Sequence, residues 1–154
     1  LPEMFAYTFP EILFSTRGIR DERDHEKRMN WAFLFGWRFD VEIWRCRGDL
    51  RQAPNYGAYM AKLVALRDRW PGLLMTGRFV DQDFFKVTGA GIIAKGFTGG
   101  GRSAIVVWNS SSREQAFTPA LKGSLRFIEG ATVNGPFRPG GTLPPNSVAV
   151  LVYE

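Results

Sequence analysis

Asp40 and Glu42 stand two residues apart in an otherwise apolar stretch, RFDVEIWR, from Arg38 to Arg45. The stretch alternates like a β-strand, in which successive side chains point to opposite faces. Phe39, Val41 and Ile43 then share one face, and Asp40, Glu42 and Trp44 share the other. Neighbours on one face lie roughly 6.5–7 Å apart at the Cα level. Such a wall offers two acids that can give and take a proton, and an indole that can cover the apolar face of a sugar ring. If it faces water, this is an ordinary half-buried strand. If it faces a cleft, it is a carbohydrate site. The acids can also pair with Arg38, Arg45 and Arg47 and then only shape a rim.

Other chemistries find little support. His25 is the single histidine and Cys46 the single cysteine, so neither a zinc cluster nor an internal disulfide can be assembled. Cys46 reads as a small buried hydrophobe. A Ser-His-Asp triad would rest on His25 alone, and no G-x-S-x-G elbow accompanies it. DERDHE, Asp21 to Glu26, holds oxygen ligands for a divalent cation, but it reads better as the solvated start of a helix. GFTGGGR lies between two strand patterns and lacks the Lys-Ser/Thr of a P-loop, so it reads as a hairpin turn. No metal and no cofactor is expected.

The formal charge is +5. Residues 1–83 carry 13 basic and 12 acidic side chains, and residues 84–154 carry 7 and 3. The excess is spread thinly, which argues for a solvated basic surface and against a nucleic-acid partner. No apolar run reaches the roughly 18 residues of a membrane span. LPEMFAYTFPEILF has no basic leader region, so no signal peptide is expected in this chain, and a soluble protein is.

The elements that must position the acids follow from pattern and punctuation. Met4 to Phe9 reads as a strand closed by Pro10, followed by a loop through STRG. A helix is expected over 21–37, with its acids in the first turns and Met29, Ala32, Phe33 and Gly36 at helical spacing. The strand RFDVEIW comes next. A second helix is expected over 54–70, with Tyr56, Tyr59, Met60, Leu63, Leu66 and Trp70 as its apolar stripe and Pro71-Gly72 as its end. Trp31, Trp37 and Trp70 are expected in the core. This β-loop-α-β-loop-α order implies parallel strands covered by crossover helices.

Beyond about Asp81–Thr88 the chemistry changes. Residues 84–154 hold 11 of the 17 glycines, and turn clusters such as NSSS, NGPFRPGG and PPNS separate short strand patterns. GIIAKGFT, SAIVVWNS, QAFTPAL, SLRFI and SVAVLVYE are the strand candidates, and antiparallel pairing is expected. The fold class is thus α+β: a partial (β/α) barrel segment over 1–83, followed by an antiparallel β-sandwich over 84–154.

This layout resembles the C-terminal portion of a TIM-barrel glycoside hydrolase of the α-galactosidase/α-amylase-like clan, bacterial members included. The residues that carry the likeness are YTFPE (Tyr7–Glu11), NWAFLFGWRFDVE (Asn30–Glu42), NYGAYMAKLVALRDRW and the closing LPPNSVAVLVYE. The resemblance implies a glycosidase or transglycosylase acting on a carbohydrate substrate. It turns Asp40, Glu42 and Trp44 toward the barrel lumen, near the carboxyl ends of the strands where barrel active sites lie. Glu11, just past the first expected strand, would complete the acidic set. Glycosidases need two carboxyl groups, about 5–5.5 Å apart for retention or 6.5–9.5 Å for inversion. Glu42 is then the expected general acid, with Asp40 or Glu11 as its charged partner. Trp44, Trp108, Arg38 and Tyr7 are the expected substrate-binding residues.

A complete barrel needs about 250 residues, and residues 1–80 supply roughly two βα units. The chain is therefore expected to be either the tail of a larger enzyme or an unusually small active protein, and its exposed strand edges and apolar face are expected to be covered by homo-oligomerisation with residues 1–50 near the interface. The competing expectation is a non-catalytic carbohydrate-binding or structural β module with barrel remnants.

Overall fold

A computed structural model describes residues 2–19, 24–41 and 48–154. In chain order the elements are α1 (Pro2–Thr8), β1 (Ser15–Ile19), α2 (His25–Leu34), β2 (Arg38–Val41), a 3-10 turn (Leu50–Gln52), α3 (Pro54–Arg67), α4 (Pro71–Leu74), β3 (Arg78–Asp81), β4 (Phe85–Lys86), β5 (Ile92–Gly99), β6 (Arg102–Asn109), β7 (Gln115–Ala116), β8 (Ala120–Leu121), β9 (Phe127–Thr132), β10 (Gly135–Pro136), β11 (Thr142–Leu143) and β12 (Val148–Tyr153). The fold is α+β.

Its centre is a six-stranded antiparallel sheet in the order β10-β9-β12-β6-β5-β3. The sequence VAVLVY explains why β12 lies inside it. Both alternating sets are apolar and every residue is buried. Val148, Val150 and Val152 join one apolar cluster with the helices, and Ala149, Leu151 and Tyr153 join a second cluster on the opposite face. Ala104, Val106 and Trp108 of β6 continue the first cluster, and Ile105 and Val107 the second. A strand buried on both faces needs a layer on each side. Here α2, α3 and α4 cover one side, and Phe85, Phe117, Phe137 and Leu143, from β4, the β7–β11 ladder and the turns beside it, cover the other. β5 and β6 are joined by the two-residue turn Gly100-Gly101, whose φ angles of +57° and +75° require glycine and suit a tight hairpin. This is the hairpin expected of GFTGGGR.

The helical stripe of α3 packs as its spacing predicts: Tyr56, Leu63 and Leu66 are buried, with Tyr59 and Met60 against them. Trp70 is buried, and Trp31 and Trp37 pack at the edge of the same cluster. Three local expectations are corrected. Met4 to Thr8 lie in helix α1, not in a strand. Pro2 in the first turn, Glu3 at the amino end and Pro10 just beyond the carboxyl end are helix-boundary chemistry, and a short apolar run does not by itself distinguish helix from strand. The STRG segment is strand β1, not loop. It pairs parallel with β2, Ser15 opposite Arg38, and its register shifts between Arg17 and Ile19, so Gly18 sits at an irregularity, not at a break. Pro71, expected to end a helix, opens α4.

β1, α2 and β2 make one βαβ unit, and parallel pairing among the described residues is confined to that pair. Among the described residues this two-stranded pair is not extended into a barrel wall. The expected division at 83/84 falls after β3, which is hydrogen-bonded to β5 as the sheet's edge. Cys46 and the carboxyl end of the RFDVEIWR segment lie outside the described residues. No helix is long and apolar enough to cross a membrane among the described residues.

Lys95 fastens the amino-terminal helix to the sheet. It is 6% exposed, on the helix-facing side of β5. Its ammonium bonds Asp81 Oδ1 at 2.8 Å and Glu3 Oε1 at 3.3 Å, and lies 5.3 Å from the centre of the Phe35 ring. The Glu3 carboxyl is held below the ordinary carboxylate range, first by a backbone hydrogen bond at Glu3 itself and then, against some desolvation, by the charge of Lys95. A depressed acid stabilises the fold above its unfolded value near 4.5 and loses that contribution as pH falls through the lower folded value. Lys95→Met is expected to cost about 1 kcal/mol in urea melts, because it removes the ion pairs that tie Glu3 and Asp81, both partly exposed, to the sheet. Amide protection in α1 should fall below about pH 4.5 in the wild type and lose that pH dependence in Glu3→Gln.

Candidate functional site at the βαβ unit

In a βαβ unit the crossover helix begins where the first strand ends. The amino end of α2 therefore lies at the same end of the unit as the carboxyl end of β2. Asp40 is on β2, exposed, while Phe39 beside it turns inward against the core. Arg38 is exposed on the same face, and Ser15, Arg38, Phe39 and Asp40 line a cavity of about 270 Å³. The guanidinium of Arg67 lies over the Phe39 ring at 5.3 Å. Behind them Tyr56 is 1% exposed and its hydroxyl has no hydrogen-bond partner. Burial, with the charge of Asp40 adding to it, pushes the Tyr56 phenol up, so it stays protonated. Tyr56 also touches the His25 ring, centre to centre 6.0 Å, and so connects β2 to the start of α2.

A second and larger cavity, about 440 Å³, opens at the start of α2. Asp24, His25, Glu26 and Lys27 form one wall, and Ser110, Ser111, Ser112 and Asn146 form the other. The second wall is built by two turns leaving the sheet, Ser110–Ser112 after β6 and Pro144–Ser147 before β12. Both are fixed by buried amides. Asn109, fully buried, donates to the carbonyls of Arg113, Leu143 and Pro144 and accepts from the Ser111 amide and hydroxyl. Asn30, fully buried on α2, donates to the Asn146 carbonyl at 2.6 Å and accepts from the Tyr59 hydroxyl at 2.6 Å. Asn146 Oδ1 also accepts from Trp108 Nε1 at 3.2 Å, and its Nδ2 donates to Glu26 Oε2 at 3.4 Å. Asn146 has φ +52°, a left-handed conformation that asparagine tolerates better than most residues. Burial pushes the Tyr59 phenol up to about 12, Asn30 opposing and Glu26 adding, so it remains a hydrogen-bond donor near neutrality.

The structure brings Arg38 and Asp40 together in one cavity, which Glu11, Tyr7 and Trp108 do not line. Glu11 is exposed in the turn after α1 and precedes β1, so it lies toward the amino end of the β1–β2 pair, away from the carboxyl end expected of it. The reason is the shift of the first strand from 4–9 to 15–19. Tyr7 is exposed on α1 and donates to Asp83 Oδ2 at 2.9 Å, a contact that raises its pKa. Trp108, expected as a sugar platform, is 3% exposed in the core, edge-on to Trp31, and presents no face to a ligand. Glu42 and Trp44 lie outside the described residues. Among the described residues no group of three His, Cys, Asp or Glu side chains could hold a metal ion.

No family model and no curated protein sequence matches the chain. One solved structure is similar over its whole length. That structure is a GH30 endoxylanase from Clostridium papyrosolvens C71. The TM-score is 0.55 at 12% sequence identity, and all of this chain is matched. The likeness is one of fold. The chain spans 46% of the length of the endoxylanase chain.

The residues missed from sequence are Asn30, Asn146, Glu26 and the Ser110–Ser112 turn. NSSS and PPNS read as turns, which they are. What sequence does not reveal is that these turns meet on one buried asparagine, Asn109, which bonds the Pro144 carbonyl 35 residues on. The network should be measurable. Tyr59→Phe is expected to cost about 1 kcal/mol and Asn30→Leu about 2 kcal/mol in denaturant melts, because the latter leaves the Asn146 carbonyl and the Tyr59 hydroxyl unpaired. Equal stability of all three proteins would show that the amide network is not formed.

Proposed function

We propose that the chain is a carbohydrate-active protein carrying part of a glycoside hydrolase fold, in which residues 1–83 supply a barrel-like segment and residues 84–154 a β-sandwich. The observation that supports this most is the similarity of the whole chain to a GH30 endoxylanase. The βαβ unit adds to it, since Asp40 and Arg38 of β2 line one cavity together with Ser15 of β1. In this reading Asp40 is the ionised carboxylate of a glycosidase or transglycosylase, Arg38 holds substrate, and Glu42 is the general acid assigned from strand alternation. Glu11 is left out of the pair because it does not line that cavity.

Hydrolysis of xylan, xylo-oligosaccharides and a set of aryl glycosides tests this. Asp40→Asn should lower turnover by about 10²-fold or more on every substrate that is cleaved. Glu42→Gln should be felt most with poor leaving groups, because good ones need little protonation. Glu11→Gln should keep wild-type rates. If the folded wild type cleaves none of these substrates, or if the Asp40 variant keeps full activity, the catalytic reading fails.

A second reading, a non-catalytic carbohydrate-binding or structural module, is favoured by one fact: the chain spans less than half of the enzyme it resembles. Sugar binding without turnover would select it. Either reading leaves Met4, Phe5, Phe9, Ile12 and Leu13 exposed at 58, 49, 41, 50 and 69%. Self-association through this amino-terminal face is part of the proposal. Light scattering should show a dimer or larger at tens of micromolar, an order-of-magnitude range for weak interfaces near about 10⁻⁵ M. Leu13→Glu should return the protein to monomer.

A further inference from the structure

The cavity between the start of α2 and the Ser110–Ser112 turn plays no part in the chemistry assigned to Asp40. Its lining is rich in hydrogen-bonding groups of both senses: serine hydroxyls, a carboxamide, carboxylates, an ammonium and an imidazole. Charges of both signs are present, since Asp24, Glu26 and Lys27 all line it, so the cavity is not a simple anion or cation trap. Its central feature is a donor beside an acceptor. Asn146 Nδ2 and Glu26 Oε2 are 3.4 Å apart, at the long limit of a hydrogen bond. A carboxylate has about four acceptor positions and an amide nitrogen two donor hydrogens, so one long contact uses only part of what the pair can offer.

Adjacent hydroxyls of a sugar ring match such a pair. One hydroxyl donates to the carboxylate while its neighbour accepts from the amide. The pair is also pre-set. Trp108 and Asn30 hold the Asn146 carboxamide, Tyr59 holds Asn30, and Asn109 holds the serine turn. Side chains already fixed lose little entropy on binding. The rings of Tyr56 and Tyr59 pack against His25 and steady the first wall. The cavity stands at the carboxyl end of the βαβ unit, the end where such folds take ligands.

We propose that this cavity is a neutral-saccharide binding site in which Glu26 and Asn146 grip adjacent hydroxyls of one sugar unit and Ser110–Ser112 contact the next. The proposal rests on the carbohydrate-active reading and deepens it: the site holds sugar whether or not Asp40 takes part in cleavage. Glu26 and Asn146 are binding residues in this scheme, and no bond is made or broken there.

Calorimetric titration with xylotriose, cellotriose and maltotriose, each at up to about 10 mM, tests it, with inorganic phosphate as the anion control. At least one trisaccharide should bind the wild type. Glu26→Gln, an exposed and nearly isosteric change, should weaken that binding by about tenfold. Asn146→Gly keeps the left-handed backbone and should weaken it at least as much, provided its melt shows a folded protein. Asp40→Asn should leave the affinity within about twofold, whatever it does to hydrolysis. Saccharide binding that Glu26→Gln and folded Asn146→Gly leave unchanged, but Asp40→Asn abolishes, would overturn the cavity assignment and keep the carbohydrate reading. Failure of every trisaccharide to bind would overturn the cavity assignment, with hydrolysis by the wild type then showing separately whether the carbohydrate reading survives. Binding of phosphate in place of sugar, lost on Lys27→Ala, would show an anion site and overturn the proposal.

Discussion

Burial of β12 and β6 on both faces is the constraint on which the rest of the molecule depends. Valines 148, 150 and 152 need helices above them, and Leu151 and Tyr153 need a second layer below. Each fully buried side chain of this size contributes about 1.5–3 kcal/mol relative to exposure, so leaving either face bare would forfeit several such contributions. The helix layer is therefore as much part of the sheet's core as the strands are. Trp31 of α2 meets Trp108 of β6, Phe35 meets Phe79 of β3, and Trp70 donates to Glu129 of β9 at 2.8 Å.

That packing is what creates a polar cleft. Once α2 lies across the sheet, its first turn comes up against the turns that leave β6 and enter β12. The meeting point is polar because turns bring backbone carbonyls with no ladder partner, and each must be satisfied. Asn30 and Asn109 do this from inside the core, at full burial. Buried amides with all partners present fix the geometry more tightly than apolar contacts would, since each has a direction as well as a distance. The cleft thus combines exposed hydrogen-bonding groups with an immobile floor, and Tyr56, whose ring meets His25 and whose phenol feels the charge of Asp40, connects it to the Asp40 cavity.

Much of this fold was legible in the sequence. The helix of residues 54–67 followed from a clean apolar stripe, the Gly100-Gly101 hairpin from turn chemistry, and β12 from six consecutive residues of strand-forming type. The amino terminus was not legible. MFAYTF suits a helix or a strand equally by periodicity, and the deciding contact, Glu3 with Lys95, joins residues 92 positions apart. The candidate site was legible in part for the same reason. Strand alternation put Arg38 and Asp40 on one exposed face, a local property. Misplacing the first strand by eleven residues carried Glu11 to the wrong end of the unit. Trp108 read as a strand-end aromatic beside polar turns, but its burial depends on α2 arriving from more than seventy residues away.

Native-state hydrogen exchange tests the central claim, that one doubly covered sheet organises both the helices and the turns. The amides of β6 and β12 should exchange only through global unfolding, and those of α2 and α3 facing Val150 and Trp108 should open at a comparable free energy. Helices that open as a separate unit, while β12 stays fully protected, would contradict it. The chain would then be two independent bodies, and the cleft between α2 and the Asn146 turn would have no fixed wall.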